Sequence, residues 1–334
     1  MPADLTDAPP AAGVDATAPI APAPSAAPVV FDVDRLSVLY SGFRAVRDVS
    51  LEVAKSEIDA IRQRTSVRNY SDQVVEAEKH HALRDFVQSL DNPFHHPIQF
   101  HFLDLTASSE GEKLGTYGVI QGARHYLGAT LTEGPHAMLA LGYEMELVIL
   151  YLTHLGLGTC WLGGTFDRKG FAQAMAIAPG ESFPIITPYG YAAAKKHLKE
   201  RAMRKVIQAD QRKPWEQLFF QDNFQTPLTK EAAGAYSVPL EMVRLGPSAS
   251  NKQPWRVLLH ETTFHFYESK AVGYSAAFPY DIQEVDLGIA AAHFHCSALE
   301  LGLPGTITLS PPDLPCPDPM IYRFSWRPDR DEAN

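Results

Sequence analysis

Cysteine is scarce in this sequence: three in 334 residues, Cys160, Cys296 and Cys316, with no CxxC among them. The odd count and the spacing exclude a disulfide-stapled scaffold and a cysteine zinc site, and they suit a reduced, cytoplasmic setting. No HExxH occurs, and His80, His81, His95, His96, His265, His293 and His295 follow no metal-ligand spacing, so no metal is expected. GxSxG is missing, which removes support for a serine hydrolase of that type. GxGxxG is missing too, which excludes a Rossmann nucleotide fold; so is GxxxxGKS or GxxxxGKT, which excludes a P-loop. No apolar run reaches the roughly 18 residues that a membrane span needs. Positive charge is in deficit, 29 Lys and Arg against 39 Asp and Glu, for a net charge of −10. That balance argues against nucleic acid and anionic membrane surfaces as partners.

What is present divides unevenly along the chain. Residues 1–28 contain no Lys, Arg or aromatic residue and are mostly Ala and Pro. They have neither the basic start and apolar stretch of a signal peptide nor the means to bury a core, so residues 1–29 are expected to be a disordered tail. Residues 30–53 alternate apolar and polar positions and break at Ser41-Gly42, the pattern of a hairpin over about 30–54. That stretch is similar to the opening strands of an ABC-transporter ATPase, but no phosphate-binding loop comes after it. The remainder, with 45% hydrophobic and 20% charged residues in the whole chain, has room for two cores. The expected halves are 55–218 and 219–330.

Four stretches in the remainder carry chemistry. Ser56, with Asp59 three residues on, is placed to cap a helix that runs into Arg62-Gln63-Arg64-Thr65-Ser66-Val67-Arg68. This cluster of planar, bidentate donors is suited to a phosphate or an electron-rich carbonyl edge; it is equally what a solvated helix end looks like. An apolar helix over 144–158 closes on Gly156-Leu157-Gly158, and Cys160-Trp161-Leu162-Gly163-Gly164 comes next, where two glycines let backbone approach a ligand. A basic stretch from Lys195 ends in Gln211-Arg212-Lys213-Pro214. Finally, a helix is expected to end at Leu245, and Gly246-Pro247-Ser248-Ala249-Ser250-Asn251-Lys252-Gln253-Pro254 loops with its N–H groups free into a strand at Trp255. Asn251 and Gln253 each offer a donor and an acceptor, which suits the edge of a flat heterocycle.

Taken together, RTSVR, CWLGG, QRKP and PSASNKQPW resemble, in order, the motifs of the FMN-dependent nitroreductases. The resemblance implies an α+β nitroreductase-like fold. It places Arg64, Ser66 and Arg68 on the FMN phosphate, the ribityl chain and the N1–C2=O side of the ring. It sets Gly163 and Gly164 beside flavin N5, brings Arg212 to the phosphate, and lets Pro247, Ser248 and Asn251 close the cleft. Arg68 would stabilise the anionic reduced flavin, and no side chain is expected to act as acid, base or nucleophile. The implied reaction passes electrons from NAD(P)H through FMN to a small-molecule acceptor such as a nitroaromatic or a quinone. The alternative is a degenerate, flavin-binding protein without turnover. Trp161 and Trp255 read as core or wall residues, and Cys160 as core.

The chain also repeats itself: the helix ending in Leu-Gly-Leu at 155–157 has a counterpart from Asp286 to Gly305, and the strand at 185–189 has a weaker one near Tyr322–Trp326. The first half has no PSxxNxQPW loop, reading Asn92-Pro-Phe-His-His-Pro-Ile-Gln99 instead; the second has no RxSxR. The resemblance therefore extends to the duplicated, single-chain "putative TM nitroreductase" branch, a monomeric pseudo-dimer with one complete site.

Overall fold

Two long, largely buried helices fix the architecture. In a computed structural model of the protein, residues 29–40, 43–54, 56–106, 114–194, 211–271, 273–274 and 278–329 are described, the first two stretches as backbone only. The chain divides after Lys55 into two units. In the first, β1 (Val29–Tyr40) and β2 (Phe43–Ala54) pair antiparallel as a hairpin, Val29 opposite Ala54 and Tyr40 opposite Phe43. The expected tail and the Ser41-Gly42 turn lie outside the described residues.

The second unit begins with α1 (Glu57–Gln63), α2 (Ala77–Gln88), β3 (Gln99–Asp104) and β4 (His125–Leu131). It continues through α3 (Ala137–His154), β5 (Gly158–Thr159), α4 (Arg168–Ala174) and β6 (Ser182–Gly190). Next come β7 (Phe219–Gln221), β8 (Asn223–Pro227), α5 (Lys230–Ala233), α6 (Ser237–Leu245), β9 (Trp255–His260) and β10 (Thr263–Ser269). The last elements are α7 (Ile282–Glu300), β11 (Gly305–Thr308) and β12 (Met320–Pro328). One sheet has the order β3-β4-β6-β5, the other β11-β12-β10-β9-β7-β8. All pairs are antiparallel except β7 with β9. In each sheet the same series of elements recurs, two strands, a long helix and two strands, with the last pair reversed in the sheet order. No helix among the described residues is long and apolar enough to cross a membrane.

Both long helices start earlier than the sequence suggests. α3 begins at Ala137, not Glu144, because Ala137–Tyr143 is as apolar and as buried as the rest of the helix. It stops at His154, with Gly156 in the left-handed region at φ 74°. α7 begins at Ile282, capped by Asp281, whose side chain accepts the Gln283 N–H at 3.2 Å. Asp286 is therefore inside the helix.

α3 and α7 cross at Gly142 and Gly288. A Cβ on Gly142 would overlap the Val285 carbonyl oxygen and lie 3.0 Å from Gly288 Cα; one on Gly288 would overlap the Leu139 carbonyl oxygen. The contact is reciprocal, because Leu139 and Val285 each precede their glycine by three residues. Around it, Glu146 of α3 and His293 of α7 are fully buried and meet at 2.8 Å. His293 Nδ1 lies 2.8 Å from the Met242 carbonyl, which can only accept, so the Glu146 contact at Nε2 requires one further proton between ring and carboxylate. Trp161 Nε1 donates to the other carboxylate oxygen at 2.8 Å, and Arg64 Nε lies 3.9 Å from the first.

Two outcomes are expected in urea unfolding. Gly142→Ala forces two backbones apart and loses about 3 kcal/mol, whereas Gly156→Ala, with open space around it, costs about 1 kcal/mol from its positive φ alone. Glu146→Ala strands His293, Trp161 and Arg64 and costs about 3 kcal/mol, with Glu146→Gln milder.

Candidate functional site

α1 delivers the first wall. Ser56 Oγ caps it by accepting the Asp59 N–H at 3.1 Å, and Glu300 of α7 holds its start through Ser56 Oγ and the Ile58 N–H, at 2.7 and 3.0 Å. The helix ends at Gln63, and the chain from Arg64 to Arg68 is extended, not helical. Ser66 bridges to Thr159 of β5, Val67 N–H donates to the Thr159 carbonyl at 2.8 Å, and Gln121 N–H donates to the Arg68 carbonyl at 2.9 Å. In an extended chain every second side chain shares a face. The RxSxR spacing thus puts Arg64, Ser66 and Arg68 on one face, and all three line a single cleft.

The cleft encloses about 810 Å³ of empty space, its open mouth included. Trp161 and Gly163 enter from the loop after β5, Ile185 from β6, and Arg212 from the segment before β7. Pro247, Ser248, Ala249, Ser250 and Asn251 come from the loop after α6, and Ile282, Val285, Asp286 and Ile289 from α7. Eight of the nine residues singled out in the sequence meet here. Gly164 does not: it is exposed, and a Cβ there would press on the Phe278 ring. At Gly163 a Cβ would meet Ile282 and Ile185 at 2.9 and 3.0 Å, and its carbonyl is held by Arg168 and Tyr280 at 2.7 and 2.9 Å.

The loop after α6 is more tightly bonded than expected, and its N–H groups are not all free. Ala249 N–H donates to Asp286 Oδ1 at 2.9 Å, Asn251 N–H to the Ser248 carbonyl at 2.9 Å, and Gln253 N–H to Ser248 Oγ at 2.9 Å. Ser250 and Asn251 adopt left-handed backbone, φ 47° and 55°, which Asn tolerates better than most residues. Gln253 does not line the cleft: it is buried and braces Asn251 and the Lys213 N–H. Arg212 reaches the Leu245 carbonyl at the end of α6 at 3.1 Å and Asn251 Oδ1 at 3.3 Å. Lys213 lies outside the cleft; burial, then Arg256 and Lys252, lower its pKa to about 8. Trp255 is core, while Trp161 is wall.

Electrostatically the cleft is lopsided. Arg68 is buried, the Arg64 side chain is only 7% exposed, and the Nε and Nη1 atoms of each have no hydrogen-bond partner among the described residues. A buried guanidinium with unanswered donors is costly, and an anionic ligand relieves the cost. The floor is apolar: Ile185, Ile282, Val285 and Ile289. Asp286 is the residue that sequence reasoning missed. Its burial, reinforced by Glu268 and Asp281, raises the carboxyl well above the usual range, against the lowering pull of the Ala249 N–H. The available signal was an acidic residue beside the unbroken apolar run Leu287–Ala292. Among the described residues no group of three or more His, Cys, Asp or Glu could hold a metal.

No curated protein matches the chain significantly. A crystal structure of a putative nitroreductase from Thermotoga maritima is similar in fold, with a TM-score of 0.52 and 20% identity, covering 81% of this chain and 93% of that one. A putative nitroreductase from Desulfovibrio desulfuricans, solved in complex with FMN, matches with 21% identity and a TM-score of 0.33 over 45% of this chain and 96% of that one. A Bacteroides fragilis nitroreductase with bound FMN matches with 18% identity and a TM-score of 0.35, over 44% and 94%. The family described as "Putative TM nitroreductase" matches residues 57–298. Since that match runs from the start of α1 into the last turn of α7, the chain belongs to the Putative TM nitroreductase family.

Proposed function

We propose that the protein is an FMN-dependent oxidoreductase that passes electrons from NAD(P)H to a small-molecule acceptor such as a nitroaromatic or a quinone. The observation that carries the reading is the pair of guanidiniums of Arg64 and Arg68, whose Nε and Nη1 atoms make no hydrogen bond among the described residues and which line one apolar-floored cleft. FMN has the matching parts: an anionic phosphate, a planar apolar ring and an electron-rich carbonyl edge. When bound, it supplies the two-electron chemistry that no side chain here can supply.

The residues hold and shield. Arg64, Arg68 and Arg212 would take the phosphate and the carbonyl edge, with Ser66, Ser248 and Asn251 adding neutral hydrogen bonds. Gly163 lets a ring approach backbone where Ile185 and Ile282 leave no room for a Cβ. Ile282, Val285 and Ile289 exclude water from one side of it, and Pro247 closes the rim. A cation beside the carbonyl edge stabilises negative charge that develops there, the role we assign to Arg68.

We also read the chain as a fused pair of nitroreductase-like halves acting as a monomer. The recurring strand–helix order and the reciprocal glycine crossing support this. So does Phe94, in the segment that stands where the first half would carry its own PSxxNxQPW loop. It is buried against Tyr143 and Phe324, with ring centroids 6.0 and 5.8 Å away.

The test is a visible spectrum after reconstitution with FMN, followed by anaerobic NADH or NADPH. A flavin band that bleaches supports the full reading. One that persists leaves a flavin-binding protein without this turnover, and no bound flavin sinks the assignment. Arg68→Ala is expected to weaken FMN binding by about 30-fold, near 2 kcal/mol, read by flavin fluorescence quenching.

A further inference from the structure

Among the described residues Asp286 is the one acid in a cleft otherwise lined by cations, hydroxyls, the Asn251 amide and apolar groups. The residue is 2% exposed, and its two oxygens differ. Oδ1 accepts the Ala249 N–H at 2.9 Å, which ties α7 to the loop that carries Pro247, Ser248 and Asn251. Oδ2 is buried with no hydrogen-bond partner among the described residues. The groups that act on it across its surroundings are Glu268 on β10, Asp281 at the start of α7 and Tyr274, whose hydroxyl meets Ser250 Oγ at 2.8 Å; Arg64, Arg68 and Arg212 come from other elements of the cleft. An ionised carboxylate would be a poor occupant there, because burial and two neighbouring acids oppose the charge while a single N–H supports it. A neutral carboxyl instead has a hydroxyl with nothing among the described residues to receive it, and an unmet buried donor is costly.

We infer that Asp286 is a specificity-determining residue of this cleft: its Oδ2–H donates to an uncharged, electron-rich oxygen, carbonyl or nitro, of a planar ligand, while Oδ1 latches the loop that closes on that ligand. The inference rests on the flavin reading above. The oxygen belongs either to the flavin ring or to the electron acceptor. Asp286 thereby selects for ligands with a neutral acceptor oxygen at this position and against those with a donor or a carboxylate there.

Asp286→Asn keeps a donor and an acceptor, and Asp286→Leu removes both. Three readouts separate the possibilities: FMN affinity by fluorescence quenching, KM with menadione and with ferricyanide as acceptors, and amide exchange over residues 248–251 in the FMN-free protein. Asp286→Leu is expected to speed amide exchange at Ala249 about tenfold, with Asp286→Asn near wild type. If the oxygen is the flavin's, Asp286→Leu weakens FMN about tenfold; if it is the acceptor's, FMN is held normally and KM rises for menadione but not for ferricyanide. Should Asp286→Leu fail to fold, pH serves in its place. Ionising Asp286 sets a negative charge against the ligand oxygen, so as the pH is raised the wild type loses FMN or menadione affinity more steeply than Asp286→Asn. Lys213, whose pKa is lowered to about 8, is common to both proteins and cancels. Equal FMN affinity, equal menadione KM and equal pH profiles across the variants would overturn the inference while leaving flavin binding intact. A wild type that binds no FMN would overturn both.

Discussion

The contact between Gly142 and Gly288 sets the distance at which everything else in the second unit is built. Helices that carry side chains at their crossing sit about 8–10 Å apart; here backbone meets backbone, and both glycines are needed because each would otherwise strike the other helix's carbonyl. The close approach brings one face of α7, carrying Ile282, Val285, Asp286 and Ile289, up to the wall formed by the segment after α1. Widening the crossing would separate the apolar floor from Arg64 and Arg68 and open the cleft to water. Helix packing and ligand pocket are thus one geometric problem, solved at two residues.

Charge in the interior follows from the same closeness. Glu146 is fully buried where α3 and α7 meet and answers three partners at once, His293 from the second helix, Trp161 from the cleft wall and Arg64 from the basic motif. A lone buried carboxylate would be prohibitively costly; shared in this way, it also holds Arg64 and Trp161 at the cleft. Among the described residues Arg68 has no such carboxylate partner, and its Nε and Nη1 make no hydrogen bond. One arginine is held by a buried carboxylate; the other is the one our proposal gives to the ligand.

Much of this was legible in the sequence, and the misreadings have physical causes. RTSVR was recognisable as a donor cluster, but its extended backbone depends on pairing with Thr159 and Gln121, far along the chain, which local propensity cannot report. Gly163 and Gly164 look alike in sequence; only the packing of Ile185 and Ile282 tells which glycine faces the cleft. Gln253 reads as a recognition amide because free side-chain amides often are, yet the left-handed turns at Ser250 and Asn251 fold it inward as a brace. Asp286 was hidden by a boundary error. Acidic residues commonly begin helices, and with the helix begun at Asp286 the side chain passes for a terminal residue rather than a buried acid.

The fused-pair reading gains force from what happened on the other side of the crossing. The register that matches Gly142 with Gly288 also matches Leu139 with Val285, Ala140 with Asp286 and Tyr143 with Ile289. On α7 those positions line the cleft; on α3, Leu139, Ala140 and Tyr143 belong to a packed core that includes Phe94 and Phe324. Ala140 has no carboxyl to latch a loop; nearby, Asn92 turns its own segment, accepting the Phe94 N–H at 3.1 Å and donating to Glu144 at 2.5 Å, with the Phe94 ring buried. An aromatic ring in place of a ligand contributes burial energy continuously and needs no cofactor to satisfy it. On the fused-pair reading we propose, the two corresponding positions are free to differ, one filled by an aromatic ring and the other open to a ligand; two identical chains, obliged to carry the same residues at both, could not make that division.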